Sequence, residues 1–137
     1  MASEIFVDTS GFYACLVKAD ACHKQAASIL VVSADSRRRF VTTDYVLDET
    51  ATLLKARGHG HLVERLFDAV FESSVCSVEW MDAERFAGVR TFFSRHSDHG
   101  YSFTDCLSFH IMKQRRLRDA LTKDEHFREA GLNALLT

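Results

Sequence analysis

Short apolar runs recur along this chain between polar stretches, and each is long enough for one β-strand. The first run, residues 4–7, is followed by Asp8-Thr9-Ser10-Gly11, a composition typical of a turn. Four further runs of similar length lie at residues 40–42, 75–79, 119–121 and 132–136. The pattern therefore predicts five short strands.

Between these strands, apolar residues recur every three or four positions, which predicts helices with one buried face. The predicted helices cover residues 23–34, 45–57, 61–72, 82–93, 102–114 and 125–130. Gly58 and Gly60 separate the second helix from the third, as an antiparallel helix pair requires. Ser102 or Thr104 can serve as the N-cap of the fifth helix.

Strands that alternate with helices predict an α/β fold, here an α/β/α sandwich whose central, mostly parallel sheet has about five short strands. With 137 residues and 47% hydrophobic residues, the chain can bury a core unaided. Its sequence contains no proline, no low-complexity tract and no internal repeat. We therefore expect one domain over residues 1–137.

Composition narrows the class of protein further. The formal net charge of −2 gives no general attraction for nucleic acid, although it can conceal local clusters of either sign. The sequence has no apolar run of about 18 residues and no signal-peptide pattern, so we expect a soluble, cytoplasmic protein without membrane association. The four cysteines form no CxxC pair, and we expect reduced thiols in the core at Cys15, Cys22, Cys76 and Cys106.

Two acidic residues come directly after predicted strands. Asp8 follows the first strand, and Asp124 lies just beyond the fourth. Functional groups of parallel sheets gather beyond the carboxyl ends of the strands, so both residues are candidates for a site. Each also has an ordinary interpretation, because Asp8 can be a turn residue and Asp124 can cap the helix that begins at Glu125.

A third acid, Glu49, lies on a helix with Val46 three positions before it and Leu53 four positions after it. Its helix face is therefore apolar, and we expect the side chain to point inward. The neighbouring Asp48 has polar residues at the corresponding spacings and is expected to be solvated. The contrast favours Glu49 as the functional acid of the pair.

Asp105 shares its helix face with Phe109 and Met112, so it is also expected to face inward. The alternative is an acid favoured by the helix dipole, worth a few tenths to about 1 kcal/mol. Several inward carboxylates close together repel one another unless a cation neutralises them. Oxygen ligands without His or Cys suit Mg²⁺ or Mn²⁺, ions that can support phosphodiester hydrolysis.

Four local motifs carry these acids in order along nearly the whole chain. They are the strand-Asp-Thr-Ser opening at Asp8, Asp-Glu-Thr followed by Leu-Leu-Lys-Ala-Arg around Glu49, Ser-Phe-Thr-Asp ending at Asp105, and Thr-Lys-Asp-Glu-His-Phe around Asp124. Together the motifs resemble those of the PIN-domain ribonucleases, in particular the VapC toxin subunits of type II VapBC toxin–antitoxin modules.

The resemblance implies a PIN-like domain that acts as an endoribonuclease dependent on Mg²⁺ or Mn²⁺. It implies that the catalytic, metal-binding residues are Asp8, Glu49, Asp105 and Asp124, with the hydroxyls of Thr9 and Thr104 in support. It also implies an RNA substrate, a homodimer and a small cognate antitoxin that inserts a segment near the acidic groove. A housekeeping RNA-processing PIN nuclease and a catalytically silent PIN-like binding module remain as alternatives to the toxin.

Two basic runs are candidates for binding RNA phosphates. The first is Arg37, Arg38 and Arg39, and the second is Lys113, Arg115, Arg116 and Arg118. The alternative for such runs is a solvated helix end whose cations complement the helix dipole. The two interpretations stay open at this stage.

Other kinds of site fit the sequence less well. The pairs His59/His61 and His96/His99 lack cysteine or acidic partners at zinc-ligand spacing, so we expect surface histidines. Phosphatases of the haloacid dehalogenase type also begin with an Asp after the first strand. Their nucleophile is followed two residues later by a second Asp, where this chain has Ser10.

Overall fold

The computed structural model describes residues 3–137, in which a central sheet carries helices on both faces. Its strands are β1 (Ile5–Val7), β2 (Phe40–Thr43), β3 (Cys76–Glu79), β4 (Asp119–Leu121) and β5 (Asn133–Ala134). They lie in the order β3-β2-β1-β4-β5, and every neighbouring pair is parallel. The predicted α/β/α sandwich is confirmed, with a wholly parallel sheet.

The helices in this part of the chain include the six that the periodicity predicts and one further helix, at residues 9–16, that it does not. They are α1 (Thr9–Leu16), α2 (His23–Asp35), α3 (Asp44–Ala56), α4 (Val63–Phe71), α5 (Ala83–Arg95), α6 (Phe103–Arg115) and α7 (Glu125–Glu129). A 3₁₀ turn at Gly60–Leu62 takes the place of the first residues of the helix predicted over 61–72. None of these helices is long and apolar enough to cross a bilayer.

Strand β1 occupies the centre of the sheet, between β2 and β4. Ile5 pairs with Phe40 on one side, and Val7 pairs with Leu121 on the other. The chain first builds outward through β2 and β3 and then returns to add β4 and β5 on the opposite side of β1. Such a reversal opens a crevice at the carboxyl ends of the central strands, where parallel α/β sheets bind ligands.

The side chains of β1 alternate between the two layers of core. Phe6 packs in the cluster formed with α5, α6 and α7, whereas Ile5 and Val7 pack in the cluster formed with α1 and α2. A third cluster joins α1, α3 and α4. The cysteines are free thiols, as expected, with Cys22 and Cys106 buried.

The turn predicted at residues 8–11 is wrong, because these residues begin α1. Asp8 has an extended backbone and is the N-cap of this helix, which starts at Thr9. Asp-Thr-Ser-Gly suits a helix start as well as a turn. The apolar residues that follow decide for the helix, because Tyr13 and Ala14 become buried on its inner face.

Helix α1 approaches β4 without a side chain between them at Gly11. A Cβ atom at this position would lie 2.0 Å from the carbonyl oxygen of Leu121 and 2.9 Å from its carbonyl carbon. Neither backbone atom can move aside as the end of a flexible side chain could. Glycine is therefore required for the close packing of helix on strand.

We expect Gly11→Ala to lower the free energy of unfolding by about 1–3 kcal/mol or more, because the added methyl group must push α1 away from β4. Urea denaturation followed by circular dichroism measures the change. Gly60→Ala is the matched control, since a Cβ there meets nothing within 4 Å. Equal stability of the two variants would contradict the close contact.

Candidate active site

Asp8 is the most buried of the predicted acids, with 4% of its surface exposed at the end of β1. The hydroxyl of Thr122 donates to Asp8 Oδ2 at 2.9 Å. Burial raises the pKa of Asp8 to about 7, the charges of Asp105 and Glu49 add to the rise, and hydrogen bonds from Thr122 and the Thr9 backbone oppose it. The charged form of this carboxylate is therefore costly without a neighbouring cation.

Asp105 is held in the first turn of α6 by a capping box with Ser102. Its backbone N–H donates to Ser102 Oγ at 2.9 Å, and its carboxylate Oδ2 accepts from the Ser102 N–H at 3.1 Å. Burial and the charge of Asp124 raise its pKa, although bonds from Ser102 and His126 oppose the rise. The helix-terminus interpretation is thus correct, and the same residue also faces the crevice beside Asp124.

Asp124 is the N-cap of α7, as its ordinary interpretation predicted. Its Oδ1 accepts from the backbone N–H of His126 at 2.9 Å, and its own N–H donates to Thr122 Oγ1 at 3.0 Å. Thr122 therefore contacts both Asp8 and the backbone of Asp124. This hydroxyl links the carboxyl end of β1 to that of β4.

The prediction that Glu49 points inward is wrong, because its side chain is exposed. Helix α3 buries Val46, Leu47 and Thr50 instead, which places Glu49 at the margin of the buried face. There it accepts a 2.7 Å hydrogen bond at Oε1 from the hydroxyl of Thr9. Glu49 is thus oriented toward α1, while Asp48 is exposed as predicted.

The two predicted supporting hydroxyls differ in their contacts. Thr9 contacts Glu49 directly, as described, whereas the carbonyl of Thr104 accepts from Ser108 and places this residue in the helical ladder of α6. Among residues 3–137, no hydrogen bond joins the Thr104 hydroxyl to any of the four acids. The structure instead brings Thr122 into contact with them, a residue recognisable only as the hydroxyl at the end of a buried strand.

His126 is a site residue that the sequence interpretation missed. Its Nδ1 lies 3.0 Å from Asp105 Oδ2 and 3.4 Å from Asp124 Oδ1. Gly100 leaves room for the ring, since a Cβ there would lie 3.1 Å from His126 Nε2. Burial lowers the pKa of His126, but the hydrogen bond to Asp105 and the charge of Asp124 outweigh this effect and raise it. The signal available in the sequence was that His126 lies only two residues after Asp124, one of the predicted site acids.

Three of these side chains could share a metal ion. One ligand atom each from Asp105, Asp124 and His126 lies within 4.8 Å of the other two. Two carboxylates and one imidazole are ligands that bind divalent cations. The imidazole nitrogen suits Mn²⁺ better than Mg²⁺. The donor set therefore fits a divalent metal, although it differs from the predicted set of four carboxylates.

An open groove of about 540 Å³ brings the remaining acids together with two cations. Asp8, Asp20, Glu49, Asp124 and Glu125 line it, and Arg57 and Lys123 supply its positive charge. The guanidinium of Arg57 lies 5.1 Å from the centre of the Tyr13 ring. A cation–π contact of this kind holds a flexible side chain at one place on the groove wall.

The first predicted basic run lies at the opposite end of the sheet from the acids. Residues 37–39 immediately precede β2, so they are at its amino end, whereas the acids are beyond the carboxyl ends of β1 and β4. Arg38 donates to Asp119 at 2.9 Å, and Arg39 donates to the carbonyl of Ser74 at 2.9 Å. The structure does not bring this run into the acidic groove.

The second basic run lies at the end of α6 opposite Asp105. Ten residues separate Arg115 from Asp105, which is about 15 Å of helix. Arg115 donates to both Glu4 and Glu79 at 2.6 Å, and Arg116 is the left-handed C-cap of the helix. Binding of RNA by these residues stays a prediction, with the guanidinium of Arg115 already engaged by carboxylates.

The histidine pairs do not join the group of potential metal ligands. His61 and His99 are exposed as expected, whereas His96 stacks on Phe92 with 4.0 Å between ring centres and His59 packs edge-on against Tyr13. The histidines at 59 and 96 are therefore partly structural.

Comparison with known families identifies the family of the chain. The family model described as PIN domain matches residues 5–132, nearly the whole chain. The chain belongs to the PIN-domain family. In this PIN domain, the four acids suggested by the sequence motifs lie directly after β1, on α3, on α6 and in the β4–α7 connection, around one end of the sheet.

Several relatives are similar over most of their length. The 23S rRNA-specific endonuclease VapC20 of Mycobacterium tuberculosis is 36% identical over 128 residues, which cover 93% of this chain and 94% of that protein. A VapC ribonuclease of Archaeoglobus fulgidus is 26% identical over 114 residues, covering 82% and 72%.

A solved structure shows the same fold. The crystal structure of Mycobacterium tuberculosis VapC20, described as a sarcin-ricin loop cleaving toxin, superposes with a TM-score of 0.85 and 29% sequence identity. The superposition covers 98% of this chain and 100% of the other.

We expect Asp105→Asn and His126→Gln each to weaken Mn²⁺ binding by about tenfold or more, since each removes or disturbs a potential ligand. Isothermal titration calorimetry without RNA measures this effect. His61→Gln is the control, because it removes an exposed histidine outside the group. Wild-type affinity for Mn²⁺ in His126→Gln would exclude the imidazole from the ligand set.

Proposed function

We propose that this PIN domain is an endoribonuclease that hydrolyses RNA phosphodiester bonds with a divalent metal, Mg²⁺ or Mn²⁺. The observation that carries the proposal is the convergence of Asp8, Asp105 and Asp124 beyond the carboxyl ends of β1 and β4, with Glu49 on the wall of the same groove. The names of its relatives, an rRNA-specific endonuclease and a ribonuclease, support the same reaction class.

The metal would be held by Asp105, Asp124 and His126, with Asp8 and Glu49 completing the acidic wall. When bound, a divalent ion lowers the pKa of a water molecule and stabilises the leaving oxygen of a phosphodiester. The buried charge of Asp8 supports the presence of a cation, because burial without one makes ionisation costly.

The surrounding hydroxyl and imidazole groups orient the acids. Thr9 fixes Glu49, Thr122 fixes Asp8, and His126 fixes Asp105. Preorganised oxygen atoms lose less freedom when they bind a charged substrate, so these contacts favour the reactive arrangement.

The groove also supplies contacts for the substrate. Arg57 on α3 and Lys123 after β4 are its cations, and both can neutralise phosphates next to the acidic wall. Arg57 is placed by Tyr13, whereas Lys123 is placed by its backbone N–H, which donates to Ser10 at 3.0 Å. An RNA strand would therefore meet positive charge beside the carboxylates.

We further propose that the protein is the toxin of a type II toxin–antitoxin module and that it forms a homodimer. The VapC names of its relatives support the toxin assignment. Large apolar side chains remain exposed for a partner to cover, among them Phe71, Trp80, Phe86 and Phe93. Phe71 and Trp80 stack with 6.3 Å between ring centres, which presents a flat aromatic surface.

We expect Glu49→Gln to slow Mn²⁺-dependent RNA cleavage by about 100-fold or more, whereas Asp48→Asn changes it by less than about threefold. Glu49 lines the groove and Asp48 does not. Gel analysis of cleaved RNA under single-turnover conditions gives the rates, with Asp8→Asn as the inactive reference. A larger loss in Asp48→Asn would remove Glu49 from the site. No cleavage by wild type with either metal would favour a silent binding module.

We expect expression of the chain alone to slow bacterial growth, and co-expression of a small adjacent reading frame to restore it. An antitoxin segment in the groove would compete with the metal for the same carboxylates. Asp105→Asn should abolish toxicity while partner binding, measured by co-purification, largely survives. Toxicity that persists in folded Asp105→Asn would show that cleavage is not its cause. Harmless wild-type protein that still cleaves RNA would favour a housekeeping nuclease.

A further inference from the structure

A second cavity, of about 530 Å³, lies between α5, α6 and the connection from α7 to β5. Three cations line it: Arg95 from α5, Lys113 from α6 and Arg118 from the segment before β4. Two histidines, His96 and His110, add further hydrogen-bonding nitrogen atoms. Within residues 3–137, no aspartate or glutamate lines this cavity.

The three cations are also unpaired. Arg38, Arg85, Arg115 and Arg128 each form a salt bridge with a carboxylate. Arg95, Lys113 and Arg118 form none with a carboxylate of the described part of the chain. Grouped cations without counter-ions repel one another and create a positive potential that attracts anions. The cavity therefore presents positive charge to the solvent.

Helix dipoles account for only part of this arrangement. Arg95 lies in the last turn of α5 and Lys113 in the last turn of α6, where cations are favoured. A dipole effect needs each cation only at its own helix end. It does not explain why the ends of two helices and the separate Arg118 converge on one concave surface.

A series of rings joins this cavity to the acidic site. His96 lies 5.7 Å from His99, which stacks on Tyr101 with 4.7 Å between ring centres and an interplanar angle of 9°. Tyr101 then packs edge-on against His126 at 5.6 Å, and His126 contacts Asp105. Ring-to-ring contacts thus link the wall of the cavity to the carboxylates.

We propose that the cavity lined by Arg95, Lys113 and Arg118 is an exosite for the phosphate backbone of a folded RNA substrate. The proposal rests on the proposed ribonuclease function. RNA is favoured over an acidic polypeptide because the ring series leads from the cavity to His126, beside the carboxylates where RNA would be cut. The cavity and the acidic groove share no lining residue, so an RNA that contacts both needs backbone at two separate places, which a folded RNA supplies more readily than a short single strand.

The test is binding of a fluorescent RNA hairpin with the sarcin-ricin loop sequence, measured by anisotropy in EDTA over a range of KCl concentrations. The variant R95Q/K113Q/R118Q should bind about tenfold or more weakly, and the slope of log K against log salt should fall by about 2–3, as expected for three lost phosphate contacts. The control K18Q/K24Q/R65Q loses the same total charge on α2, α4 and the α1–α2 loop and should retain the wild-type slope.

The variant R95K/K113R/R118K changes the same three positions but keeps their charges, so it tests whether substitution there disturbs the fold. It should bind RNA within about threefold of wild type, because the contacts are mainly electrostatic. Equal losses in the neutralised variant and its control would overturn the exosite. Retained RNA binding in the neutralised variant, with loss of poly-glutamate binding, would overturn it in favour of an acidic polypeptide.

Failure of the exosite and failure of the nuclease assignment are distinguishable. Suppose that the wild-type protein cleaves no RNA but binds the hairpin in a way that depends on the cavity. This outcome would support the exosite and reject the nuclease assignment. Wild-type cleavage with unchanged binding by R95Q/K113Q/R118Q supports the nuclease and removes the exosite. Cleavage of a dinucleotide, whose single phosphate can occupy only one of the two places, should proceed at equal rates in wild type and the neutralised variant.

Discussion

The repulsion among carboxylates at one end of the sheet is the constraint that shapes this PIN domain. Asp8 is almost fully buried, and the charges of Asp105 and Glu49 act on it. The charge of Asp124 in turn raises the pKa of Asp105. A fold that only maximised stability would not collect such groups in a partly dehydrated crevice. The grouping of these carboxylates is explained if a cation and a polyanionic substrate bind there.

Helix starts reduce the cost of this concentration. Asp8 is the N-cap of α1, Asp105 lies in the first turn of α6, and Asp124 is the N-cap of α7. Each helix N-terminus carries partial positive charge and free N–H groups, which favour a nearby carboxylate. The position of these residues at helix starts and their role in the site are therefore compatible. Capping bonds hold Asp105 and Asp124 in place before any metal binds, and the Thr122 hydroxyl holds Asp8.

Sequence reasoning located the acids that end strands, because parallel topology determines where the carboxyl ends meet. It failed where a side chain lies at the margin of a helix face: spacing from Val46 and Leu53 predicted a buried Glu49, yet α3 turns that residue toward α1 and solvent. His126 and Thr122 were missed because their importance comes from contacts across the sheet. The basic runs were visible, but only tertiary structure separates Arg115, which is paired with Glu4 and Glu79, from Lys113, which is not.

The hydroxyl of Thr122 has a consequence for how the site can move. It donates its one proton to Asp8, and it accepts from the backbone of Asp124 and from the Ser10 hydroxyl. A threonine hydroxyl offers one donor and two acceptor positions, so its capacity is fully used. Thr122 consequently couples the position of the β4–α7 loop to the orientation of the Asp8 carboxylate. Displacement of the β4–α7 loop would therefore disturb the hydrogen bond that orients the Asp8 carboxylate, so a change on one side of the crevice affects the acid on the other.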